Sequence, residues 1–79
     1  MRLEKIQNYL TDRGLQFRYC EQEQLGSIDF EYRGVGYHIW EFAEDGLCGA
    51  ESNVKNGGKL EDYLDDYENR LIEEMENWE

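Results

Sequence analysis

No proline occurs anywhere in this chain of 79 residues, so no pyrrolidine ring stops a helix or bars a segment from a central strand. Histidine occurs once, at His38, and cysteine twice, at Cys20 and Cys48. Two cysteines are too few for a disulfide scaffold. Both fall on segments that read as strands, where buried, reduced thiols are expected. A zinc site needs ligands paired at short spacing, and these three residues lie 18, 10 and 28 positions apart, so no metal ligand is assigned. No apolar run approaches the roughly 20 residues that cross a bilayer, and no basic-then-apolar leader opens the chain. The expected setting is the cytoplasm, with no membrane partner.

Positive charge is also scarce. Eight Lys and Arg stand against 19 Asp and Glu, a net charge of −11, which disfavours direct contact with DNA or RNA phosphates. Signatures of catalysis are missing as well: no nucleophile elbow, no metalloprotease helix motif and no Walker-type loop. Carboxylate pairs abound, but with so many acids they arise by composition alone. No catalytic residue and no cofactor are assigned, and a non-enzymatic role is expected.

Aromatic residues, by contrast, are plentiful: six Tyr, three Phe and two Trp. A domain this small buries only roughly 60% of its unfolded-chain surface, so large apolar side chains carry its stability. A mean hydropathy of −0.92 and a charged content of 34% would suit disorder. The apolar residues are periodic, however, and residues 1–79 read as one folded domain.

Residues 2–13 read as a helix, with Leu3, Ile6 and Leu10 on one side and Gly14 as its stop. The period then changes to two. Leu15, Phe17 and Tyr19 mark a first strand, and the polar stretch from Glu21 to Gly26 a connection. Ile28, Phe30 and Tyr32 mark a second strand, followed by a tight turn at Gly34-Val35-Gly36. Tyr37 to Phe42 is large on both faces and reads as central. Asp45-Gly46 is a hairpin signal, and Leu47 to Ser52 forms a shorter fourth strand.

After a loop over residues 53–59, Leu60, Leu64, Tyr67, Leu71, Met75 and Trp78 recur at spacings of 4, 3, 4, 4 and 3. That is one helical stripe, predicting a helix over 59–78. The fold class is therefore α+β, in the order α-β-β-β-β-α: a two-layer sandwich of two helices on one face of an antiparallel meander of three or four strands. The core should join Leu64, Tyr67, Leu71 and Met75 to Ile28, Phe30, Tyr32 and Ile39.

The last twenty residues hold nine acids against one base, Arg70, leaving −8 of the net −11 on a quarter of the chain. Solvated helices ordinarily mix signs, and like-charge neighbours such as Glu61/Asp65 and Asp62/Asp66 cost a few tenths of a kcal/mol each. A costly charge pattern suggests a purpose. Asp62, Asp65, Asp66 and Glu73, with Trp40 and His38 on the sheet, are the expected contacts for a partner. The Lys55-Asn56-Gly57-Gly58-Lys59 loop is a weaker candidate, a cradle for an anion at a helix start.

Three stretches are the basis of a resemblance. They are Gly26-Ser27-Ile28-Asp29-Phe30-Glu31-Tyr32-Arg33-Gly34, Tyr37-His38-Ile39-Trp40-Glu41-Phe42, and residues 49–58 from Gly49 to Gly58. Through them the chain resembles a group of small, uncharacterised acidic proteins of Gram-positive gut bacteria and their mobile elements. That resemblance brings no activity and no functional residues with it. In outline the order of elements is also similar to the double-stranded-RNA-binding domain. That family starts its last helix with a basic cluster, and the corresponding positions here read Lys59-Leu60-Glu61-Asp62.

The first expectation for function is an acidic protein-interaction module that binds a basic partner protein and mimics nucleic acid. In that general sense it looks like small anti-restriction and anti-CRISPR inhibitors. The alternative is a housekeeping domain that forms a homodimer through the aromatic sheet face of His38, Trp40 and Phe42.

Overall fold

The computed structural model describes residues 2–55 and 59–78. Helix α1 (Glu4–Asp12) leads into five strands: β1 (Phe17–Gln22), β2 (Leu25–Tyr32), β3 (Val35–Glu44), β4 (Leu47–Ser52) and β5 (Glu61–Tyr63). Helix α2 (Tyr67–Glu76) closes the chain. The strands pair in sequence order, every pair antiparallel. The class is α+β as expected, with one strand more.

Three hairpins set the register. Each has two central residues with positive φ: Glu23-Gln24 (51° and 66°), Arg33-Gly34 (52° and 81°) and Asp45-Gly46 (49° and 83°). Two-residue turns of that hand match the twist of the flanking strands. The expected turn at Gly34-Val35-Gly36 thus falls one residue earlier, and Val35 and Gly36 already belong to β3. The long connection expected from Glu21 shrinks to Glu23-Gln24, although neither residue is glycine.

The core lies between the two helices and one face of the sheet. Ile6 and Leu10 of α1 and Leu71 and Met75 of α2 are buried with Ile28, Phe30, Ile39, Ala50 and Tyr63 of the strands. Val54 and Leu3 complete it. At the end of the chain, Trp78 stacks on Tyr32 at 4.7 Å and packs against Tyr37 at 4.6 Å. Its indole N–H donates to the Val54 carbonyl at 3.0 Å, which ties the terminus over the β2–β3 hairpin.

Several expectations need correction. The predicted helix over 59–78 begins only at Tyr67, because residues 61–63 pair with β4 instead. As a helix, Glu61/Asp65 and Asp62/Asp66 would stack like charges one turn apart. As a strand, Glu61 and Tyr63 point one way and Asp62 the other, and Tyr63 is buried to 4% exposure. Asp66, with φ of 54°, separates strand from helix. Leu64 is therefore not core: it is 42% exposed, and Leu60 is 51% exposed. Tyr67 and Tyr32 only flank the core.

Gly49 shows how closely β5 approaches. A Cβ there would meet the Tyr63 carbonyl oxygen at 2.4 Å, a separation no side chain tolerates. Neither cysteine is buried. Cys20 faces away from the helices, and Cys48 lies near the tip of the β3–β4 hairpin, where Ala43 opposite it is also exposed. The Asn56-Gly57-Gly58 segment lies outside the described residues.

Candidate interaction surface on the open sheet face

Strand alternation sends every second side chain away from the helices, and no described element covers that second face. The hairpin registers align one row across all five strands: Cys20 opposite Ser27, Ser27 opposite Trp40, Trp40 opposite Glu51, and Glu51 opposite Asp62. A second row runs from Arg18 through Asp29 to His38. Trp40 is 43% exposed, and its indole stacks on the His38 ring with centroids 4.1 Å apart. Phe42 follows on the same strand, and a side chain at Gly49 would meet both Phe42 (3.1 Å) and Leu64 (3.0 Å). Leu64, expected in the core, instead leans toward this apolar strip.

Carboxylates frame the strip. Asp29, Glu31, Glu44, Glu51 and Asp62 all point to this face by alternation, against the single guanidinium of Arg18. A shallow depression of about 240 Å³ opens between Trp40, Phe42, Glu44, Glu51 and Asp62. Among the described residues, Glu44 and Asp62 make no ion pair, and Glu51 has only His38 Nε2 at 3.9 Å. That Nε2 is buried with no hydrogen-bond partner. Glu51 and Asp62 stand directly opposite one another, and like charges so placed destabilise a sheet by about 0.2–1 kcal/mol.

His38 is held in place through its backbone. The Ser52 hydroxyl donates to its carbonyl at 2.6 Å, and its own N–H donates to Asn53 Oδ1 at 3.0 Å. The Asn53 amide also donates to the Gly36 carbonyl at 3.1 Å. One asparagine side chain thus replaces strand pairing where β4 ends.

Among the described residues, the opposite face holds one buried carboxylate, and it has a full set of partners. Glu41 accepts from the Arg2 guanidinium at 2.6 and 3.1 Å, from the Gly26 N–H at 2.8 Å, and from the Tyr67 hydroxyl. Burial alone pushes its pKa up, but Arg2, Tyr67 and the Gly26 N–H override burial and hold it below the ordinary carboxylate value. Burial, reinforced by Glu41, pushes the Tyr67 phenol up to about 12. This knot ties the N-terminus and α2 to the sheet.

The predicted contacts therefore separate. Asp62, Trp40 and His38 come together on the open face. Asp65 and Asp66 form the turn before α2, where Asp66 accepts from the Asn69 side chain at 2.9 Å. Glu73 is exposed on α2, apart from the others. Glu44 and Glu51 were missed by sequence reasoning, although the Asp45-Gly46 turn already implies that Trp40 faces Glu51 and Glu44 faces Leu47. Among the described residues no group of three or more potential metal ligands converges, and no described helix is long and apolar enough to cross a membrane. No family model, no curated protein and no solved structure matches the chain.

Proposed function

We propose that this protein is a non-enzymatic, acidic protein-interaction module that docks the open face of its sheet onto a basic partner protein. One observation carries the reading. An exposed tryptophan is aligned with two carboxylates that repel each other, on a face whose carboxylates outnumber its cations by five to one. Exposed aromatics are typical anchors of interfaces, and an uncompensated negative surface steers toward positive charge. Where the partner's basic site binds nucleic acid, the module competes for it, which makes the module a nucleic-acid mimic and an inhibitor.

Self-association through His38, Trp40 and Phe42 is the weaker reading. Two copies face to face would bring these carboxylates against their equals, with only Arg18 from each copy to offset them.

The test is capture of a partner from extracts of the cells that make the protein, using the parent and two variants. The double variant Glu51→Gln with Asp62→Asn should lose the partner. The double variant Glu73→Gln with Glu76→Gln on α2 should retain it. Capture should fall steeply with salt and be displaced by added DNA or RNA. Equal loss from both variants would refute the assignment to the open face.

A further inference from the structure

The geometry points to an arginine side chain of the partner protein as the group that enters the depression beside Trp40. This inference rests on the interaction module proposed above and names what that module recognises. Charge complementarity is the first argument. Glu44 and Asp62 lack ion partners among the described residues, and Glu51 has only His38 at 3.9 Å. Most of the chain's cations are engaged elsewhere. Arg2 pairs with Glu41, Lys55 with Glu61, and Arg13, Arg33 and Arg70 lie over the rings of Tyr9, Tyr32 and Tyr63 at 5.2–5.5 Å. Among the described residues no Lys or Arg pairs with Glu44, Glu51 or Asp62, so the depression is open to a cation from another molecule.

The walls choose which cation. Trp40 and Phe42 give the depression an aromatic side, and His38 stacked on Trp40 fixes the angle of the indole. Aromatic faces attract cations, tryptophan most strongly. A guanidinium is planar, sheds its hydration more readily than an ammonium, and can fork onto a carboxylate while lying against an indole. An ammonium is also drawn to the ring face, but it is more strongly hydrated and cannot lie flat on the indole while forking onto a carboxylate. The chain itself stacks guanidinium groups over aromatic rings at three other places, so the pairing suits its own chemistry. A second copy of this chain is a poor occupant, since only its exposed Arg18 carries a guanidinium on the corresponding face.

The experiment is a titration of the full chain, labelled with ¹⁵N, by two capped peptides of glycine and serine. One carries two arginines and the other two lysines at the same positions. The arginine peptide should move the Trp40 indole N–H and the backbone amides of Glu51 and Asp62. It should bind about threefold more tightly than the lysine peptide, since only the guanidinium forks onto a carboxylate while lying flat on the indole. Glu51→Gln and Asp62→Asn should each weaken it, while Glu73→Gln should not. Equal binding of both peptides on this face would overturn the claim for arginine and leave the interaction module standing. Shifts confined to α2 would overturn both. Absence of binding by either peptide would overturn the arginine claim alone, with the module then decided by capture of its partner.

Discussion

The two faces of one sheet follow opposite rules. On the helix side, Ile28, Phe30, Ile39, Ala50 and Tyr63 are buried, and Glu41, the buried acid among the described residues, has four hydrogen bonds to three partners. On the open side, Trp40 is 43% exposed and Glu44 and Asp62 have no ion partner among the described residues. The same backbone and the same registers produce both. Stability is concentrated on one face, which leaves the other able to hold side chains that stability alone would not select. Charge content therefore says less than charge placement: the carboxylate in the core is satisfied, and Glu44 and Asp62 on the open face have no ion partner among the described residues.

The contrast can be broken most sharply at the core. Leu71→Ala should cost about 2–5 kcal/mol in denaturant unfolding, since it removes a fully buried side chain. Leu64→Ala, at a position 42% exposed, should change stability by no more than about 0.5 kcal/mol. Comparable losses from the two would restore the continuous helix that the structure replaces.

Gly49→Ala probes the seam between the faces. Its Cβ cannot coexist with the Tyr63 carbonyl at 2.4 Å, so β5 must move away at a cost of about 1–3 kcal/mol. The amides of residues 61–63 should then exchange with solvent faster than in the parent.

Glu41 sharpens the comparison through pH. Glu41→Gln removes the charge from a buried, fully bonded group and should cost about 1–3 kcal/mol at neutral pH. Because its folded pKa is lowered, its contribution is present above the unfolded carboxylate value of about 4.3. That contribution fades as pH falls through the folded value. The Gln variant should show a flatter acid limb in a series of thermal melts. Tyr67 acts at the other end. Its phenol is raised to about 12, so its share of stability is complete below an unfolded value of about 10 and is lost between there and about 12. Tyr67→Phe should weaken that alkaline loss.

The register of β3 on β4 was legible because a short turn counts residues. Asp45-Gly46 fixes Trp40 opposite Glu51 with no further information. The first helix and its core positions Ile6 and Leu10 were equally plain from spacing. What misled was the end of the chain. Leu60 and Leu64 share a helical period with Tyr67, Leu71 and Met75 by coincidence, and a three-residue strand is too short to announce its own period. The repulsion that a continuous helix would suffer between Glu61 and Asp65 was the available signal. Glu23-Gln24 was obscure for another reason: positive φ at two non-glycine residues is imposed by the pairing of β1 with β2, not by local preference.

Asp62 tests the account most directly, because the two faces disagree about it. It opposes Glu51 across β4 and β5, so Asp62→Asn should relieve repulsion and stabilise the fold by about 0.2–1 kcal/mol. On the proposed interaction surface the same change should weaken capture of the basic partner. Melting and capture should therefore be measured on one preparation of this variant beside the parent. A higher melting temperature with weaker capture is the predicted result. Undiminished capture, whatever the melting temperature, would contradict the claim that the open face is the working surface.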